Sequence, residues 1–161
     1  MAFTTQDVKN LRETTGCGMM DCKKALTETD GDMQKAIDLL REKGLSKIAK
    51  KASRIAAEGI VCAIQDKEKK VGVVIEVNSE TDFVAKNATF VQFVEDCAKT
   101  VLNENPADVD ALLACTIAGG TTTVDEALKE KIITIGENLK IRRFIRYEGD
   151  VETYVHGGGR I

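Results

Sequence analysis

Apolar residues recur at helical spacing through the first 44 residues, in short runs separated by turn formers. Thr4 or Thr5 is placed to cap a short helix carrying Val8 and Leu11, which ends before Gly16 and Gly18. A second helix is predicted over roughly Met19 to Glu28. The turn "TDGD" follows, and its Asp32 is a good N-cap for a third helix with Met33, Ala36, Ile37 and Leu40 on one face, stopped by Gly44. None of these helices is long enough to stand alone in water, so their apolar stripes must meet as a three-helix bundle over residues 1–44.

Residues 45–58, "LSKIAKKASRIAAE", put Leu45, Ile48, Ala52 and Ile55 on one helical face with Lys47, Lys50, Lys51 and Arg54 around it, which reads as a basic linker helix. A nucleic-acid or membrane-surface helix is the alternative, but four cations without an aromatic anchor fit a solvated face better. After Gly59 the period changes. "IVCAIQ" and "VGVVIEVN" are rich in β-branched residues and joined by the charged "DKEKK", so they read as two antiparallel strands of a hairpin. A helix follows through Val91, Val94, Ala98 and Val101 to a break at Pro106. A short helix around Val109 to Ala114 comes next. Thr123 to Glu126 then has the form of a capping box leading into Leu128, Ile132 and Ile135. "IRRFIRY" and "VETYVH" read as strands around the turn "EGD". The predicted class is α+β: the helical bundle, then an antiparallel sheet packed with helices over residues 59–149, with 150–161 opening a further subdomain.

Composition changes this picture little. The chain has 161 residues, 43% of them hydrophobic, which suffices for a modest core. A net charge of -3 gives no general pull toward nucleic acid or anionic lipid, and neither is expected as a direct partner. Five scattered cysteines suit reduced, buried thiols rather than a disulfide framework, with at least Cys62 and Cys97 expected to be buried. The N-terminus lacks a basic region followed by an apolar stretch, and no segment approaches the length of a membrane span, so a soluble cytoplasmic protein is expected.

Catalytic chemistry is sparse. His156 is the sole histidine, and no Cys or Asp/Glu arrangement pairs a nucleophile with a base. Cys17 and Cys22 lack the second pair or the histidine that zinc requires. "HGGGR" lacks the Lys and Ser/Thr of a phosphate loop and reads as a tight turn. No cofactor or metal site is expected, and an enzyme ranks last among the function classes.

The stretch "NSETDFVAKN" is harder to account for, because the large apolar ring of Phe83 sits beside the charged Glu80 and Asp82 just after a strand. From the residues alone, Phe83 either folds back into the core, with Asp82 capping the next helix, or stands out to meet a partner. Four stretches, "GCGMMDCKKAL", "NSETDFVAKN", "IGENLKIRR" and "HGGGRI", together resemble the bacterial elongation factor Ts family. That resemblance implies an N-terminal module of the ubiquitin-associated type and a core of sheet and helices. It also implies guanine nucleotide exchange on elongation factor Tu, in its GDP-bound and nucleotide-free forms, without covalent chemistry. Family members usually continue past "GGRI", so the resemblance covers the N-terminal module and the first half of the core.

By the same resemblance, Thr81, Asp82, Phe83 and Val84 would lie against the partner's GTPase domain. Phe83 would insert between helices, and Asp82 would help disturb the partner's magnesium site. Lys23 would face the partner, and Ile135, Gly136 and His156 would accept an apolar side chain from it. The rival reading is a helical binding module without exchange activity, for which Met1 to Gly44 alone would suffice.

Overall fold

Thr4, not Thr5, opens the first helix. Its hydroxyl accepts from the Asp7 amide at 3.3 Å while the Asp7 carboxylate accepts from the Thr4 amide at 2.7 Å, a reciprocal capping box. The computed structural model describes residues 3–161, so the first two residues of the expected bundle lie outside the described residues. Helix α1 spans Thr5–Thr15 and ends on Gly16, α2 spans Met19–Glu28, and α3 spans Met33–Lys51 behind its Asp32 cap. Val8, Leu11, Cys22, Ala25, Leu26, Ala36 and Leu40 close a small core of their own.

Gly44 does not stop α3. The helix runs straight through it to Lys51, then turns over Ala52 to Arg54. A glycine inside a helix costs about 1 kcal/mol relative to alanine. Here it admits a neighbour, since a Cβ at position 44 would stand 2.8 Å from the Cδ1 of Ile133. The expected linker helix over 45–58 is therefore corrected: residues 45–51 are the last turns of α3, and 52–57 are not helical. Ile55, expected on a shared apolar face, is 85% exposed.

The remaining chain builds an antiparallel sheet of order β1-β2-β3 from β1 (Glu58–Asp66), β2 (Val71–Ser79) and β3 (Lys140–Glu148). The β1–β2 hairpin turns through Lys67 to Lys70, as its charged connection predicts. A single-turn helix α4 (Asp82–Ala85) separates β2 from α5 (Ala88–Glu104), followed by α6 (Val109–Ala114) and α7 (Val124–Ile135). Thr123 and Glu126 form the expected capping box at the start of α7. Alternate residues Val71, Val73, Ile75 and Val77 of β2 join Phe90, Phe93, Val94, Cys97, Ala98 and Val101 of α5 in the larger core. The class is α+β, with a helical bundle at the N-terminus.

"VETYVH" is not a strand. After β3 the chain passes over the face of the sheet, with Val151 lying against Gly72, and forms no ladder over residues 151–156. It reaches the edge of β1 only at its end, where Gly59 and Ile161 exchange two backbone hydrogen bonds and Arg160 bridges Ile60. No helix among the described residues is long and apolar enough to cross a membrane.

All five cysteines are free, but Cys62 is only half-buried, which corrects the expectation; Cys22 and Cys97 are the buried pair. Desolvation by burial pushes both of those thiols upward, most strongly Cys97. Thiol counting on the native protein is expected to modify Cys17 and Cys115 first and to leave Cys22 and Cys97 untouched until denaturant is added. Equal labelling rates at all five would contradict this.

One buried carboxylate makes the stability of the fold depend on pH. Glu76 of β2 is buried, and burial alone would raise its pKa. The hydrogen bond from Arg143 Nε at 2.7 Å, that from Asn78 Nδ2 at 3.2 Å and the charges of Arg143 and Arg142 together outweigh burial and hold it below the ordinary glutamate range. A depressed folded-state pKa stabilises the fold above the unfolded value, and this contribution is lost as pH falls through the folded value. Glu76→Gln is expected to cost about 1 kcal/mol near neutral pH, because Arg142 and Arg143 are exposed and solvent screens the pair. Melting curves should show a smaller loss between about pH 6 and pH 3 for the variant than for the native chain. Parallel curves would refute the assignment.

Candidate functional site

The end of β2 is followed directly by α4, whose N-cap is Thr81, its hydroxyl accepting from the Val84 amide at 3.4 Å. Asn87 caps α5 by accepting from the amides of Thr89 and Phe90. Asp82 is thus the cap of neither helix. Within the single turn of α4, Val84 and Ala85 are buried against the sheet, and at helical spacing the preceding residue points elsewhere. Phe83 is 79% exposed and does not fold back into the core. A lone exposed ring is unremarkable by itself, but this one stands on a turn fixed at both ends.

Charge surrounds the ring. The Asp82 carboxylate accepts from Lys86 Nζ at 2.7 Å, and that hydrogen bond, with the lysine's charge, holds the carboxyl below the usual aspartate range. The same ammonium lies 6.0 Å from the centroid of the Phe83 ring, at the outer limit of a cation–π contact.

Beneath the turn, the carboxylate of Glu137 receives three donors. Its Oε2 accepts from the amides of Glu80 and Thr81, each at 3.1 Å, and its Oε1 accepts from the Thr81 hydroxyl at 2.6 Å. In return the Glu80 carboxylate accepts from the Asn138 amide at 2.6 Å, with Arg54 3.6 Å away. Glu137 and Asn138 follow Gly136, which ends α7 with a left-handed backbone at φ 86° while its amide donates to the Ile132 carbonyl. Between Phe83 and Ile135 lies an open groove of about 520 Å³, lined also by Thr81, Val84, Asn87 and Glu137.

The structure thus brings Thr81, Phe83, Val84 and Ile135 around one groove, with Asp82 on the same turn and Gly136 next in the chain to Ile135 at the end of α7. Two expected residues lie outside it. Lys23 is exposed on α2 of the bundle, and His156 is exposed near the β1 edge, its Nδ1 3.3 Å from the Tyr154 hydroxyl. Sequence reading missed Glu80, Glu137 and Asn138. "IGEN" was singled out, but nothing in its spacing relates Glu137 to a turn 56 residues earlier. Among the described residues no group of three or more His, Cys, Asp or Glu is placed to hold a metal ion.

Fold and groove define a class of protein: an α+β core joined to a small helical bundle, presenting a fixed aromatic ring at its surface. The model of the family described as Elongation factor TS matches residues 80–161. Elongation factor Ts of Clostridium perfringens (strain SM101) is 55% identical over 162 residues, covering 99% of this chain and 53% of the relative. Those of Trichlorobacter lovleyi and Clostridioides difficile are 50% and 53% identical, covering 100% and 99% of this chain and 53% of each relative. The chain belongs to the elongation factor Ts family. It spans about half the length of the curated relatives it matches.

Proposed function

We propose that this chain acts in translation elongation as a guanine nucleotide exchange factor, binding GDP-loaded elongation factor Tu and promoting GDP release. The observation that carries the reading is the 79% exposed ring of Phe83 on a turn hydrogen-bonded to the rest of the core, in a chain of this family. An exchange factor must bind the nucleotide-free partner more tightly than the loaded one, and the coupling is reciprocal. Each tenfold loss of nucleotide affinity requires about 1.4 kcal/mol of differential contact. Burying a phenylalanine side chain supplies about 1.5–3 kcal/mol. Phe83 is the wedge in this reading, Thr81 and Val84 hold the turn, and Asp82 perturbs the partner's magnesium and phosphate site.

The groove between Phe83 and Ile135 receives an apolar side chain of the partner, and Gly136 contributes the backbone at the end of α7. Lys23 on the bundle and His156 at the sheet edge make separate outlying contacts. The division of labour follows the two hydrophobic cores: the helical bundle recruits, and the α+β core carries the exchange site.

Timing the release of fluorescent GDP from the loaded factor, at several concentrations of this chain, tests the reading. Initial rates are expected to rise with concentration and saturate. Binding without acceleration at any concentration would overturn it in favour of a helical binding module.

A further inference from the structure

We propose that Glu137 is the positioning residue of this site, setting the angle at which Phe83 leaves the surface; the inference rests on the wedge reading above. Helix α4 is a single turn of four residues, too short to hold its own orientation. Burial of Val84 and Ala85 decides which side of the turn faces inward, and Glu137 is the group that anchors the start of the turn from outside. Its carboxylate collects two consecutive backbone amides and the Thr81 hydroxyl, one oxygen serving the backbone and the other the side chain. Bonds to an ionised acceptor are the strong ones, and a two-oxygen grip fixes rotation as well as distance.

The Thr81 hydroxyl has two partners. It donates to Glu137 and accepts from the Val84 amide, so the carboxylate, the hydroxyl and the first turn of α4 form one chain of hydrogen bonds. The return bond from the Asn138 amide to the Glu80 carboxylate makes the grip reciprocal, and Asn138 Nδ2 extends it by donating to the Arg54 carbonyl at 2.8 Å. Glu137 also lines the groove whose walls are Phe83 and Ile135. A single carboxylate therefore sets both the direction of the ring and its separation from the opposite wall. Glu137 is half-buried, and its replacement by the nearly isosteric glutamine opens no cavity in either core.

Glu137→Gln keeps the shape but replaces one acceptor oxygen with an amide that faces donors. In the isolated chain, hydrogen exchange at the Glu80 and Thr81 amides is expected to quicken by about tenfold or more, with the α5 amides unchanged. Against the GDP-loaded partner, the saturating release rate is expected to fall by about tenfold, and by more than the half-saturating concentration rises. Added to Phe83→Ala, the substitution should cost nothing further, because it acts through the ring.

Unchanged amide exchange at both positions, or a release defect that adds fully to that of Phe83→Ala, overturns the proposal. Slow release with Phe83→Ala but full speed with Glu137→Gln overturns it while sparing the wedge. Full-speed release with Phe83→Ala overturns the wedge itself, and the positioning role with it.

Discussion

Phe83→Ala is expected to slow partner GDP release about ten- to a hundredfold while leaving this protein's own melting temperature nearly unchanged. The ring is 79% exposed, so truncating it removes few contacts within the chain and opens no cavity. Its contribution is made only where a partner buries it, and alanine-truncation losses concentrate at such aromatic anchors. Release rates measured across a concentration series separate a failed wedge from weakened docking. In the first case the saturating rate drops; in the second the curve shifts to higher concentration. A large fall in melting temperature with normal release per folded molecule would contradict the assignment.

The same substitution seven residues later should do the reverse. Phe90 is 0% exposed, and it lies in the core that joins α5 to β2. Phe90→Ala removes that burial and leaves a void, at a cost of about 3–5 kcal/mol. For a chain of this length each kcal/mol shifts the melting temperature by about 2–4 °C, so a fall on the order of ten degrees is expected. Release per folded molecule, measured well below the transition, should remain close to native. A melting temperature within a degree or two of native would show that the core relaxes to fill the space. A matching loss of release at full folding would show that the ring of Phe90 also supports the site.

Much of the fold is legible in local pattern. Asp32 and Thr123 are side-chain caps, and they act within a few residues of themselves. The β-branched run of β2 marks it as a strand, and the helical spacing along α5 reports which face is apolar, a property of neighbours three or four positions apart. The errors fall where the deciding contact is remote. Gly44 has the right chemistry to end a helix, yet Ile133 of α7 occupies the space its side chain would need. "VETYVH" has strand composition, yet the chain crosses the sheet at Val151 instead of pairing beside it. Composition describes what a segment can do with a partner, and the partner is chosen by topology.

By itself, then, the sequence determined the class, the three strands of the sheet, most of the helices, the caps at Asp32 and Thr123 and the family resemblance, because each depends on residues close together along the chain. It also singled out the Thr81 to Val84 turn and Ile135 as residues of interest. Only the tertiary structure decided that Phe83 faces outward, because that depends on Val84 and Ala85 taking the inward side of a one-turn helix. Tertiary structure alone also revealed the groove shared by Phe83 and Ile135, and the grip of Glu137 on Thr81. Hydrogen bonds between segments 56 residues apart leave no periodic trace in either segment. They form because the sheet brings the end of β2 beside the start of β3, and that juxtaposition exists only in the folded chain.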